Sequence, residues 1–79
     1  MRARVTIGFR AGVLDPEAQA IQRSLGHLGF AEVTGLTKLK VIELELAMTD
    51  RAAARARVEA MCEQLLANPV IESYTVEML

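Results

Sequence analysis

The sequence of 79 residues has no tryptophan, one tyrosine, two phenylalanines, one cysteine, one histidine and two prolines. Each shortage excludes something. A single cysteine cannot form an internal disulfide, and Cys62 stands among the apolar residues of a helical pattern, which suits a buried, reduced thiol. One histidine and one cysteine, far apart, cannot supply the clustered ligands that zinc requires. With so few aromatics, aliphatic residues and methionine have to fill the interior. An excess of either charge is missing too: 9 Lys and Arg against 10 Asp and Glu leave a formal net charge of −1, so nothing at whole-chain level attracts nucleic acid. No apolar run approaches the roughly 18 residues of a membrane span, and the basic start Met1-Arg2-Ala3-Arg4-Val5 has no long apolar stretch behind it. Neither membrane association nor a signal peptide is expected, and the expected location is the cytoplasm.

Apolar residues make up 52% of the chain. A single domain over residues 1–79 is the only partition this length allows, and a chain of this size buries only about 60–65% of the surface its unfolded form exposes. Small domains that lack disulfides and structural metals gain the missing burial by associating. A homo-oligomer is therefore expected.

Residues 2–10 alternate, with Ala3, Val5, Ile7 and Phe9 on one side and Arg2, Arg4, Thr6 and Arg10 on the other, the period of a half-buried strand. The outer arginines read either as a solvated face or as a phosphate-binding stripe, with no aromatics or glycine-rich loop beside them. Gly12-Val13-Leu14-Asp15-Pro16-Glu17 then turns the chain into a helix. Asp15 can cap it, Pro16 suits a first position that needs no N–H, and Glu17 complements the positive end of the dipole. Over residues 16–28, Ala18, Ile21, Leu25 and Leu28 form one apolar stripe, and Gly29 is a left-handed stop. Such a helix is expected to lie on a sheet.

Residues 31–38 read as a second strand in which Val33 and Leu36 fall out of alternation across Gly35, the mark of a bulge. Residues 41–48 read as a third, with Ile42, Leu44 and Leu46 facing one way and Glu43 and Glu45 the other. A hairpin turning near Lys38-Leu39-Lys40 is expected between them, without an Asn-Gly or Asp-Gly turn signal. Thr49 and Asp50 are both competent caps for a second helix with the stripe Val58, Met61, Cys62, Leu65 and Leu66, which Asn68-Pro69 ends. Residues 70–79 form a fourth strand whose apolar residues Val70, Ile71, Tyr74, Val76, Met78 and Leu79 fall on both sides of the pleat, so a partner chain is expected over the second face. The order βαββαβ predicts an α+β, ferredoxin-like domain: an antiparallel sheet with two helices on one face, completed by oligomerisation. That topology hosts many unrelated functions.

Catalytic equipment is scarce. Only His27 and Cys62 could form a thiol–imidazole pair. Glu43 and Glu45 share a strand face, as an acid–base pair would, but exposed strands carry such pairs routinely. No phosphate-binding glycine loop is present. An RNA-recognition domain shares the element order but stacks bases on central-strand aromatics, and here those strands offer only Phe9. No catalytic, cofactor-binding or metal-ligating residue is expected, which points to a scaffold, regulator or subunit.

Gly12-Val13-Leu14-Asp15-Pro16-Glu17, then Leu25-Gly26-His27-Leu28-Gly29-Phe30, then Lys40 before Glu43-Leu44-Glu45-Leu46, then the block from Met61 through Leu65, Asn68-Pro69 and Glu72 to Tyr74, resemble the PurS family in that order. The family usually starts the first helix with Asp-Pro-Gln-Gly, where this chain has Asp15-Pro16-Glu17-Ala18. It commonly has Arg-x-Gly-Lys in the hairpin segment, where Thr37-Lys38-Leu39-Lys40 keeps only the final Lys. The resemblance implies a small, non-catalytic subunit of phosphoribosylformylglycinamidine synthase that joins a glutaminase subunit to a large ATP-dependent synthetase subunit and helps ammonia pass between them. It implies no cofactor in this chain, with ATP and Mg²⁺ used by the synthetase, and self-association as a homodimer or tetramer. Lys40, Asn68, Pro69, Glu72 and Tyr74 are then candidate partner contacts; alternatively Asn68-Pro69 only stops the helix and Tyr74 only packs. A second functional class stays open: an ACT-type dimeric module binding an amino acid near the glycine turn after strand one, where Gly12 stands.

Overall fold

The computed structural model describes residues 1–79. Its elements are β1 (Arg2–Phe9), α1 (Pro16–His27), β2 (Lys40–Glu45), α2 (Arg51–Met61), a π-helical turn (Cys62–Leu66) and β3 (Glu72–Met78). The sheet is antiparallel with order β2-β1-β3. Val5 faces Ile42 on one side and Val76 on the other, and Ile7 likewise faces Lys40 and Tyr74. The fold is α+β, and residues 31–39 take the place of the second strand in the βαββαβ order.

The alternation of β1 works as expected. Ala3, Val5 and Ile7 are buried and join Ala54, Val58 and Cys62 of the second helical segment, with Ala67 and Met78, in one core. Asp50 caps α2, its carboxylate accepting from the N–H groups of Ala52 and Ala53. Arg51 ties the start of α2 to the end of β3 by donating to the Met78 carbonyl at 2.7 Å. Asp15 caps α1 in the same way through Glu17 and Ala18, Pro16 follows it, and Gly29 stops the helix at φ +97°. No helix is long and apolar enough to cross a membrane.

Four local expectations change. Residues 31–38 make no strand pairing: the chain leaves α1, runs without turning at Lys38-Leu39-Lys40, and enters β2 directly. With no turn-forming residue there and the alternation broken at Gly35, a hairpin has neither its corner nor its register. Second, α1 does not lie on the sheet of its own chain. Ala18 is its only buried residue, none of its side chains belongs to the core, and the molecule is correspondingly long, 50 × 24 × 15 Å. Third, the last turn of the second helical segment widens into a π turn, closed by Ala67 N–H donating to the Cys62 carbonyl at 3.0 Å. The extra residue breaks the 3.6 period, so Cys62 is buried while Leu65 is 83% exposed. Fourth, β3 is one-sided. It begins at Glu72, so Val70 and Ile71 belong to the preceding turn, and the strand alternates Tyr74, Val76 and Met78 inward with Ser73, Thr75 and Glu77 outward.

Candidate partner interface

Two regions of the chain gather the functional candidates: the corner between the π turn and β3, and the outer face of the sheet. At the corner, Ala67 adopts extended backbone and ends the helical segment. The Asn68 side-chain oxygen accepts from the Val70 N–H at 3.1 Å, the local turn that asparagine favours. The Asn68 N–H donates to the Glu72 carboxylate at 2.6 Å, and the Asn68 carbonyl accepts from Ile71 and Glu72 at 3.2 and 2.7 Å. Arg10, one residue past β1, grips the far side. Its guanidinium donates to the Pro69 carbonyl and its own N–H to the Ile71 carbonyl.

Two residues along β3, the Tyr74 hydroxyl donates to Glu63 of the π turn at 2.8 Å. That bond, aided by partial desolvation and the negative charge of Glu63, pushes the Tyr74 pKa up to about 12. Asn68, Pro69, Glu72 and Tyr74 are thus brought together, and each makes a hydrogen bond within the chain. The corner also presents two large apolar side chains outward: Leu65 is 83% exposed and Val70 81%. Lys40 lies across β1, in the same sheet row as Tyr74 with Ile7 between them. It lines an open cleft with Glu72, Phe9 and the Asp15-Pro16-Glu17 helix start.

Arg10, Glu63, Leu65 and Val70 are not among the contacts that the sequence singles out. The signal for Arg10 was its place at the end of a strand antiparallel to β3. For the exposure of Leu65 there was none, since a helical period assumes the α turn that the chain abandons there.

On the outer face, Arg4 sits between the two edge strands, donating to Glu43 at 2.8 and 3.0 Å and lying 3.6 Å from Glu77, while Arg2 donates to Glu43 at 3.2 Å. These arginines are held by cross-strand carboxylates, which favours the solvated-face reading over a phosphate stripe. The hydrogen bond from Arg4 and its charge, with help from Arg2, hold the Glu43 carboxyl below its ordinary range. A carboxylate so stabilised is a poor proton donor near neutrality, and Glu45 makes no ion pair with any residue. Cys62 is fully buried, and burial, then Glu63 and Glu59, raises its pKa. His27 ends α1 on the exposed surface. No thiolate–imidazole site is assembled.

Residues 2–79 match the family model described as PurS: Phosphoribosylformylglycinamidine (FGAM) synthase. The PurS subunit of phosphoribosylformylglycinamidine synthase from Methanocaldococcus jannaschii is 39% identical over 77 residues, 98% of this chain and 93% of that protein. Its crystal structure superposes with a TM-score of 0.87, covering 96% of this chain and 92% of that one. A chain in the structure of PurLQS from Thermotoga maritima is 33% identical, with a TM-score of 0.86 over 99% of this chain and 95% of that one.

Proposed function

We propose, for a chain that belongs to the PurS family of phosphoribosylformylglycinamidine synthase subunits, the role of a non-catalytic bridge within that enzyme. The complex is a ligase of purine biosynthesis, and this chain is its small subunit. The observation that carries the bridging role is the likeness, over 99% of this chain, to a component of the three-part PurLQS assembly. In this reading the chain joins a glutaminase subunit to a synthetase subunit that uses ATP and Mg²⁺, in the cytoplasm. Ammonia released from glutamine passes along the assembly to formylglycinamide ribonucleotide, giving formylglycinamidine ribonucleotide with glutamate, ADP and phosphate.

The corner after the π turn is the docking surface for the catalytic subunits. Asn68, Pro69, Glu72 and Tyr74 hold its shape from within, and Leu65 and Val70 make the contact, as apolar residues at the centre of an interface do. Lys40 supplies a charged position at the cleft beside it. The uncovered stripe of α1 serves a different purpose, self-association as a homodimer or tetramer. Membership of this family decides against the ACT-type alternative.

Reconstitution from three purified proteins tests the role. Omitting this chain should abolish turnover driven by glutamine and leave turnover driven by free ammonia much less affected. Equal glutamine-driven rates with and without it would refute the bridge. Leu65→Asp and Val70→Asp should each weaken recovery of the synthetase or glutaminase in a pull-down while leaving the circular dichroism spectrum intact.

A further inference from the structure

We infer that Arg10 couples the docking corner to α1, so that binding of a catalytic subunit and self-association strengthen each other. This rests on the roles proposed above for the two surfaces and goes beyond them by joining them through one residue.

No side chain of α1 belongs to the core, so a contact made by its apolar stripe reaches the sheet through the segments at its two ends. The C-terminal end leads into residues 29–39, which enter β2 without strand pairing and return one ion pair to the helix start, Lys38 to Glu17 at 2.9 Å. The N-terminal end is the shorter path, because residues 10–15 run from the end of β1 to the first turn of α1.

Arg10 stands at the root of that path and holds on in both directions. Its carbonyl accepts from the Val13 N–H at 3.0 Å, closing a turn whose third residue needs a positive φ, and Gly12 supplies +84° there. Its own N–H donates to the Ile71 carbonyl at 2.8 Å, while its guanidinium donates to the Pro69 carbonyl at 2.8 and 3.0 Å. Val70, 81% exposed, is the residue between the two carbonyls so held. The same side chain and peptide therefore set how the chain departs toward α1 and how Val70 is presented.

Arg10 is exposed, so its bonds open against water unless the chain on either side is held still. Pairing of α1 with a second copy steadies the Gly12 turn, which leaves less freedom for the corner to lose on docking. Docking steadies α1 by the same amount, because a coupling free energy is equal from either side.

A double-mutant cycle in the full chain tests this, with purified synthetase and purified glutaminase in turn as the probe. Leu28→Asp, at a position 72% exposed in the single chain, should break self-association, as light scattering reports, and weaken binding of the probe about five-fold. Arg10→Ala, with its circular dichroism spectrum intact, should weaken it by a similar factor, and the double variant should be no weaker than Arg10→Ala alone. Factors that multiply would overturn the coupling, since that is what a direct contact of Leu28 with the probe gives. Glu43→Gln, which loosens the opposite face of the sheet, should leave binding unchanged. A five-fold loss there would reduce the Arg10 effect to general stability and overturn the coupling too. In the parent protein the probe should also slow amide exchange at Val13, and unaltered exchange there would overturn the coupling however the variants fold. Leu65→Asp separates this inference from the reading beneath it. If that variant binds both probes as the parent does, the corner is not the docking surface and both fall. If it binds weakly while the cycle multiplies, only the coupling falls.

Discussion

The guanidinium of Arg10 donates two hydrogen bonds, 3.0 and 2.8 Å long, to the carbonyl oxygen of Pro69, 59 residues away. Proline supplies no N–H of its own, so the turn at Pro69 is fixed through its carbonyl from outside and by Asn68 and Glu72 from within. Arg10→Ala should lower stability by about 1 kcal/mol, the usual scale for a partly exposed hydrogen bond from a charged donor. Arg10→Lys should recover only part of this, because one ammonium cannot reproduce the two-pronged donation. Urea denaturation of the three proteins measures both.

Glu43 makes the sheet sensitive to acid. Its folded pKa lies below the unfolded value because Arg4 and Arg2 stabilise the carboxylate. The contribution is fully present above the unfolded value, near 4.5. It disappears as pH falls from there through the folded value and the carboxylate takes up a proton. Glu43→Gln should be less stable than the parent at pH 7 and should converge on it toward pH 3. Added salt should narrow the gap at pH 7, since the pairs are exposed. Thermal melts across this pH range give the result.

Two glycines three residues apart should respond with opposite sign. Gly26 lies inside α1 with nothing near the place a Cβ would occupy, so Gly26→Ala should favour the helix by about 0.5–1 kcal/mol. Gly29 also has open space, but its φ of +97° is one that alanine adopts only with strain, and Gly29→Ala should cost about 1 kcal/mol. Because α1 stands apart from the core, amide exchange within the helix should register both changes more strongly than the global melting temperature does.

The sequence was legible wherever a rule acts locally. Asp15, Pro16, Gly29 and Asp50 do what their chemistry dictates, and the alternation of Ala3, Val5 and Ile7 locates the core. It misled where the outcome depends on what lies beyond a few neighbours. The stripe of Ile21, Leu25 and Leu28 correctly announced an apolar helix face, but periodicity carries no information about whether the covering surface belongs to the same chain. The half-regular pattern around Val33, Gly35 and Leu36 announced extended backbone without saying that its own sheet would leave it unpaired. At Leu65 the π turn changed a phase that a fixed helical period cannot anticipate. The polar candidates Asn68, Glu72 and Tyr74 do stand together in the fold, and their internal hydrogen bonds became visible only with the corner formed.

Cys62 should be chemically silent while the domain is folded. It is fully buried beside Val58 and the inner face of β1, and its raised pKa leaves little thiolate near neutrality. Labelling with a thiol reagent should proceed only as fast as the domain opens and should accelerate with urea. Cys62→Ser, which places a hydroxyl in that interior, should cost about 1–3 kcal/mol.

The hydroxyl of Tyr74 links β3 to the π turn through Glu63, and as the only tyrosine it can be titrated without interference. In the intact domain its near-ultraviolet ionisation should fall at about 12. The shift arises chiefly because the Glu63 carboxylate accepts the phenolic proton's hydrogen bond and repels the phenolate. Glu63→Gln should therefore move ionisation back toward the usual value near 10. The stability linked to this bond is fully present below about 10 and is lost as pH rises toward 12, where the unfolded chain releases the proton and the folded one retains it. Tyr74→Phe should lack that alkaline slope. An unshifted ionisation in the parent protein would mean that the link between β3 and the π turn is open in solution, and the corner at Asn68-Pro69 would then be held by Arg10, Glu72 and the Asn68 turn without it.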